Sequence, residues 1–471
     1  MGDLVLSNAR LLDGRGGTLE RATVRVSAGR VAEVLPGAAA KKGGTGLEVV
    51  DLSGGTLMPA LVDAHVHLSS YPTLPPPLRG EEPRTPALRY FELANFAPDL
   101  VSMGVLTVRD VGSEGDHALH LRQAVRHGLC AGPRILTCAR IVSATSPGCR
   151  IFGTMYRPAD GPYEVRKAAR EQLAAGADFV KIMATGARSV VLERPESAQL
   201  TRGEVRAVVD EAHRRLGHRV AAHAEGLEGS RVAIEEGVDT IEHGLSLHRE
   251  PALLEKMAEN GQTLVPTLST FHDVSEDHAE KYPCALVEQA HRQREEAYNT
   301  LAVAKTTGVR IAMGFDSYPL GQNARELIRM VDGGLTPMEG IVAATSGSAA
   351  ALGLRGSGWW SPGRRPTFSS STETRSRSRP SCSTPAASAS SSRRARRWGR
   401  RPVEDREHEP DSYLAEHQER AMPDLALSRY ERRSHNPVRP NFVELRQGEV
   451  RRIHLPRTPV NKGSRKLATA S

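Results

Sequence analysis

At 471 residues the chain is long enough for one large domain with additions, or for two to three domains. Five cysteines at irregular spacing, none in a CxxC pair, argue against a disulfide framework and a thiolate zinc site, and no apolar run nears bilayer-spanning length. The net charge of +8 is divided unevenly: from Arg355 onward 25 Lys and Arg face 12 Asp and Glu, so a mildly acidic body carries a strongly basic tail. Met1-Gly2-Asp3-Leu4 lacks the basic-then-apolar layout of a signal peptide, and the expectation is a cytoplasmic protein without a membrane partner.

Residues 3–56 read as short strands between glycine-rich turns: Leu4–Leu6, Thr23–Val26, Arg30–Val34 and Glu48–Val50. From Pro59 the texture changes to alternating helix and strand, with a recurring phrase. An amphipathic helix ends at a glycine, a short strand follows, and a polar residue closes it. The helix expected over 204–216 has Val205, Val208, Val209, Ala212 and Leu216 on one stripe, Gly217 as its stop, and a following strand that delivers His223. The phrase recurs as Gly104…Asp110, Gly176…Lys181, Gly237…His243 and Gly308…Asp316. Eight strands are expected, carrying His65/His67, Asp110, Arg134–Thr137, Lys181, His223, His243, Val265 and Ile311–Asp316 in turn. The fold class is α/β, a (β/α)8 TIM barrel; a doubly wound sheet would not bring residues from strands 1, 4, 5, 6 and 8 to one point. The expected divisions are a small β domain over 1–58, the barrel over 59–355, and a basic tail over 356–471.

The stretch Asp63-Ala64-His65-Val66-His67 follows an apolar run, and on a strand residues i and i+2 share a face. A lone pair of this kind is more often structural. Here the strand ends together offer His65, His67, Lys181, His223, His243 and Asp316. Four histidines and a carboxylate suit zinc or a similar borderline metal. An ammonium among metal ligands repels the cation, so Lys181 fits only if CO2 carboxylates it, turning it into an anion able to bridge two metals.

In this order the phrases LMPALVDAHVHL, GVLTVRDVG, GADFVKIMATG, VAAHAEG, GVDTIEHG and MGFDSYP resemble the amidohydrolase superfamily, in its binuclear group with a carboxylated lysine. The likeness spans residues 1 to about 354. It is strongest to imidazolonepropionase-related members, some of which are Xaa-Pro or other dipeptidases. The resemblance implies that His65, His67 and Asp316 hold one zinc and that His223 and His243 hold the other. Carboxylated Lys181 and a hydroxide would bridge the two, with Asp316 as the catalytic acid and base. It implies hydrolysis of a C–N bond in a dipeptide, an N-acyl amino acid or a cyclic amide. A mononuclear deaminase of the same superfamily, and an inactive product with only polyanion binding through its tail, are the alternatives. Tyr156, Arg157 and Arg188, expected on loops after strands 3 and 4, are candidates to bind a substrate carboxylate. Asp110 either orients a ligand or bonds structurally, Glu225 either supports His223 or is catalytic as in a mononuclear relative, and Asn323 and Arg325 belong to the helix after strand 8. Where many relatives carry Gly-Gly-His, this chain has Ser146-Pro147-Gly148-Cys149-Arg150. A homo-oligomer is compatible with the sequence, and a nucleic-acid partner is not expected.

After Leu354 the resemblance stops. Residues 361–402 are rich in Ser, Arg and Pro, the composition of disorder. Read one frame away, Trp359-Trp360 must encode valine, and Pro366–Ser376 permit Asp-Leu-Leu-Val-Val-Asp-Gly-Asp-Pro-Leu, the phrase with which relatives complete the small β domain. The expectation is a frameshift between about Leu354 and Ser357, so that the C-terminal half of that domain is lost and a disordered basic tail replaces it.

Overall fold

Alternating apolar residues near the amino terminus need one covered face, and they obtain it by pairing. In the computed structural model, which describes residues 3–27, 30–37, 47–69, 86–190, 192–215, 217–318, 320–360, 441–446 and 449–454, these strands are β1 (Asp3–Leu12), β2 (Thr18–Ser27), β3 (Arg30–Pro36), β4 (Leu47–Asp51) and β5 (Thr56–Leu57). They form a sheet of order β3-β2-β1-β4, with β5 also on β1. β1 is antiparallel to β2 and parallel to β4. Leu6, Leu11, Val24, Val34 and Leu57 fill its core together with Trp360. The Trp360 main chain donates to Asp13 O at 2.8 Å, the Arg15 guanidinium lies 3.4 Å over the Trp359 ring, and the buried Trp360 Nε1 has no hydrogen-bond partner. This last stretch therefore returns to the small sheet, although the resemblance was expected to stop at Leu354.

Beyond it the strands are parallel. β6 (Leu61–Val66), β7 (Val105–Asp110) and β8 (Arg134–Thr137) form one sheet in that order. A second, seven-stranded sheet runs through β9 (Ile141–Ser143), β10 (Tyr156–Pro158), β11 (Phe179–Met183), β12 (Arg219–Ala224), β13 (Thr240–His243), β14 (Thr263–Val265) and β15 (Arg310–Ile311), in the order β10-β9-β11-β12-β13-β14-β15. Main-chain bonds join the two sheets at both edges: Asp178 N to Thr137 O at 2.8 Å on one side, Ala64 N to Met313 O at 2.7 Å and Asp316 N to His65 O at 2.9 Å on the other. β6 and β11 are buried along their whole length, as parallel strands covered on both faces require.

Three expectations change in detail. The helix expected over 204–216 spans Arg202–Arg214, because Thr201 and Glu204 form a reciprocal capping box that starts it earlier. Val205, Val208, Val209 and Ala212 are buried beneath it, Gly217 follows at φ +69°, and Leu216 lies outside the described residues. Tyr156 and Arg157 lie on β10, not on a loop, since the third position of the sheet is elaborated by β9 and β10. The eighth strand is regular only over Arg310–Ile311. The chain runs on past Gly314, where a Cβ would meet the Val265 side chain at 2.4 Å and His65 Cβ at 2.7 Å, so only glycine permits this close passage.

The chain divides into two units, Met1–Phe368 with Pro440–Ser471, and Ser369–Arg439. The second unit lies outside the described residues, and the expected disorder over 361–402 falls there too. Within the tail, expected to be mostly disordered, β16 (Asn441–Arg446) and β17 (Glu449–His454) pair antiparallel. Phe442, Val443, Leu445, Val450 and Ile453 give this stretch the apolar, β-branched content that the Ser/Arg-rich segment lacks. Cys130, Cys138, Cys149 and Cys284 are free thiols, and among the described residues no helix is long and apolar enough to cross a membrane.

Candidate metal centre

The end of β6 presents His65 and the residue after it, His67, to Asp316. Each Nε2 lies 3.6 Å from Asp316 Oδ1. His65 stands between two neighbours, its ring centroid 5.3 Å from that of His67 and 5.2 Å from that of His243. His243 in turn lies 4.7 Å from His223. Lys181, on β11, is 2% exposed and lines the same cavity. All six residues expected at the strand ends therefore face one space. Two reach it through unusual backbone. His243 has φ +69° and Asp316 φ +40°, left-handed values that side chains other than glycine's rarely adopt. Alternation along β13 would aim Thr240 and Glu242 inward and His243 away. The left-handed turn at its end swings His243 back, and such strain gathers at functional sites.

Three of the four rings are held through Nδ1. Glu242 Oε2 accepts from His65 Nδ1 at 2.8 Å, leaving Nε2 free for the cavity. Glu242 is itself fully buried and pairs with Arg109 at 2.7 Å, and Arg109 Nε donates to Ala64 O at 2.6 Å. Gly112 O accepts from His67 Nδ1 at 2.7 Å, and His243 Nδ1 meets Thr267 Oγ1 at 2.7 Å. Asp63 accepts from His65 N and Phe315 N, and from Asn323 Nδ2 at 2.7 Å, tying the His65 strand to the Asp316 segment. Glu242, Arg109 and Thr267 were not foreseen. The one signal for Glu242 was strand parity, which places it inward beside Thr240.

Burial sets the charges. It pushes His67 down to about 4 and His223 to about 3, and holds His65 and His243 well below the usual imidazole range, with the Lys181 charge acting in the same direction. These are neutral imidazoles, the form that binds metals. Burial raises the Asp316 carboxyl well above its usual range and lowers the Lys181 amine to about 8.

A divalent cation fits this donor set. His65 Nε2 is buried with no hydrogen-bond partner. Its 3.6 Å approach to Asp316 is too long for a hydrogen bond. Two donors about 2.1 Å from one tetrahedral ion stand about 3.4 Å apart. Ligand atoms of His65, His243 and Asp316 all lie within 4.8 Å of one another.

The remaining candidates separate. Tyr156 is buried and lines the cavity, with Phe152 stacked on it. Arg157 is instead paired with Glu171 at 2.6 Å, and Arg188 with Glu196 at 2.8 Å and Glu296 at 2.6 Å. Asp110 accepts from Leu68 N, Ser113 Oγ and Thr137 Oγ1, fixing the chain just after His67. Glu225 lies 3.9 Å from His223 and accepts from Arg188 N. Asn323 precedes the helix Arg325–Asp332, in which Arg325 faces Asp277.

Known proteins share this arrangement of elements. The chain is 29% identical over 323 residues to the ochratoxinase of Aspergillus niger, a match covering 63% of this chain and 65% of that protein, so the chain spans about two thirds of that relative. Among solved structures, a Xaa-Pro dipeptidase with methionine bound in its active site superposes with a TM-score of 0.68 at 29% identity, covering 77% of this chain and 92% of the other. An amidohydrolase structure gives 0.65 at 30%, covering 77% and 90%. The family model described as the amidohydrolase family matches residues 56–369, which include all six converging side chains. Sequence, parallel-sheet fold and histidine–aspartate cluster thus agree, and the chain belongs to the amidohydrolase family.

Proposed function

We propose that this chain hydrolyses an amide or other C–N bond with two divalent cations, zinc being the best match to the donors. The observation that carries the reading is the buried, unpartnered His65 Nε2 beside Asp316, with His67, Lys181, His223 and His243 around the same space. His65, His67 and Asp316 would hold one cation and His223 and His243 the other. Bound cations would lower the pKa of water toward neutrality and polarise the scissile carbonyl.

The chain's own residues supply the rest. An amine near pKa 8 is partly neutral at physiological pH. Lys181 Nζ can then add to CO2, forming an N–C bond as one C–O π bond opens and releasing one proton, and the carboxylate so formed would serve as a ligand to the cations. Asp316, its carboxyl raised by burial, takes a proton from the attacking water and passes it to the leaving amine. Glu242 and Gly112 fix which nitrogen of His65 and His67 faces the cavity.

In the same reading the parallel strands form one (β/α)8 barrel over residues 59–355, joined to the small β domain of 1–58, in a cytoplasmic enzyme. The tail from 356 is the product of a shifted frame, and the unpartnered Trp360 indole in the small-domain core supports this. Metal analysis tests the function. The protein prepared with zinc and bicarbonate should bind two equivalents and hydrolyse at least one member of a panel of dipeptides, N-acyl amino acids and anilides. Lys181→Ala should retain at most one equivalent and lose activity. Two equivalents retained by Lys181→Ala would refute the shared-ligand role.

A further inference from the structure

The cavity over the histidines holds about 410 Å³, within the range of small-molecule sites. Apolar side chains border it beside the two histidines that flank His65. One wall stands beside His67: Gly112, which bonds that ring, packs directly against Ile141 and Met155, and Phe152 stacks on Tyr156 with centroids 5.0 Å apart. The other stands beside His243, where the Phe271 ring lies 6.5 Å away, edge to face. His65 sits between them. A scissile bond over His65 therefore has an apolar wall on each side.

The charges point the same way. Among the described residues lining the cavity Lys181 is the one Lys or Arg, whereas Glu114, Glu225 and Asp316 are carboxyls. The nearby guanidiniums are engaged: Arg157 by Glu171, and Arg188 by Glu196 and Glu296. Arg188 also lies 3.6 Å from Glu225 and offsets its charge, so a substrate carboxylate would meet Glu114 with no described arginine lining the cavity to receive it.

We propose that the substrate is a neutral amide with a bulky apolar, aromatic group on each side of the scissile bond, and not an amino-acid derivative anchored by its carboxylate. This rests on the reading of the site as an amide hydrolase. Benzanilide, acetanilide and N-benzoylglycine separate the features, assayed with the zinc-loaded full chain for hydrolysis and, by equilibrium dialysis, for binding. Benzanilide should exceed each of the others at least 10-fold in kcat/KM. One of Phe152→Ala and Phe271→Ala should cut the benzanilide-to-acetanilide ratio, which reads the acyl side, at least 10-fold, and the other the benzanilide-to-N-benzoylglycine ratio, which reads the amine side. Tyr163→Ala, 89% exposed and away from the cavity, should leave both ratios unchanged. A 10-fold preference for N-benzoylglycine, or both ratios unaltered in both phenylalanine variants, overturns the proposal while the hydrolase reading stands. Benzanilide bound at least 10-fold tighter than the others, with neither these three nor any of the panel of dipeptides, N-acyl amino acids and anilides hydrolysed, upholds the pocket chemistry and refutes the hydrolase reading. Failure of benzanilide to bind overturns the proposal.

Discussion

Replacing Lys181 by methionine removes a buried amine while keeping its length and most of its volume. Burial lowers this amine from 10.5 to about 8, so in metal-free, CO2-free protein the folded state carries the charge less readily than the unfolded chain. The difference of 2.5 units corresponds to about 3 kcal/mol against the fold while the amine is charged. Between pH 8 and 10.5 the unfolded chain holds one more proton at this position than the folded one. Stability from this group is therefore full above 10.5 and is lost as pH falls toward 8. Lys181→Met should be more stable than the parent at pH 7 by up to about 3 kcal/mol, and the gap should close toward pH 10.5. Urea denaturation of both proteins at pH 7, 8.5 and 10 measures it, and comparing the pair cancels the other titrating groups. With zinc and bicarbonate the order should reverse, because a ligand at about 1,000 times its Kd stabilises the parent by about 4.1 kcal/mol. A gap independent of pH would refute the claim that the Lys181 charge is held in a desolvated site.

Asp316→Asn should lower amide hydrolysis by about 10²–10⁴-fold, with the melting temperature little changed; activity within 10-fold of the parent would remove the proton-transfer role. Glu242→Gln should weaken zinc binding by about 10–100-fold, since it loosens the His65 tautomer. It should also cost about 3–5 kcal/mol, because Arg109 loses a buried partner; metal titration and denaturation read the two effects separately. Thr201→Ala, which removes the capping box of Arg202–Arg214, should cost about 1 kcal/mol in the same denaturation assay without altering kcat. Moving the coding frame by one base after Leu354 should raise the melting temperature, because the strands of the small β domain gain partners; an unchanged melting temperature, or a gene whose alternate frame lacks the Asp-Leu-Leu-Val-Val-Asp-Gly phrase, would sink the frameshift.

What could be read from the sequence was set by short-range regularities. The i, i+2 spacing of His65 and His67 is a property of any strand, and the Val205–Val208–Val209–Ala212 stripe is a property of any helix. The glycine stops repeat because a left-handed residue ends each helix, as Gly217 and Gly308 do at φ +69° and +74°. What could not be read depends on partners distant in the chain. Arg188 looked free to receive a carboxylate, yet its charge is taken by Glu296, 108 residues away. Glu242 supports His65 from 177 residues away.

The case of β13 shows how a local rule and a tertiary constraint divide the work. Parity alone places Glu242 inward and His243 outward. Burial then demands a partner for Glu242, and Arg109 and the His65 Nδ1 proton supply it. His243 joins the same space only because the strand ends in a left-handed residue, followed by Gly244 at φ +66°. There a Cβ would meet Leu264 at 2.7 Å, so the turn is closed to larger residues. The Glu242-His243-Gly244 triplet thus encodes three distinct tasks in consecutive positions: orienting one imidazole, delivering another, and permitting the backbone that makes both compatible. A substitution at Gly244 should accordingly displace His243 and leave His65 oriented, whereas one at Glu242 should do the opposite.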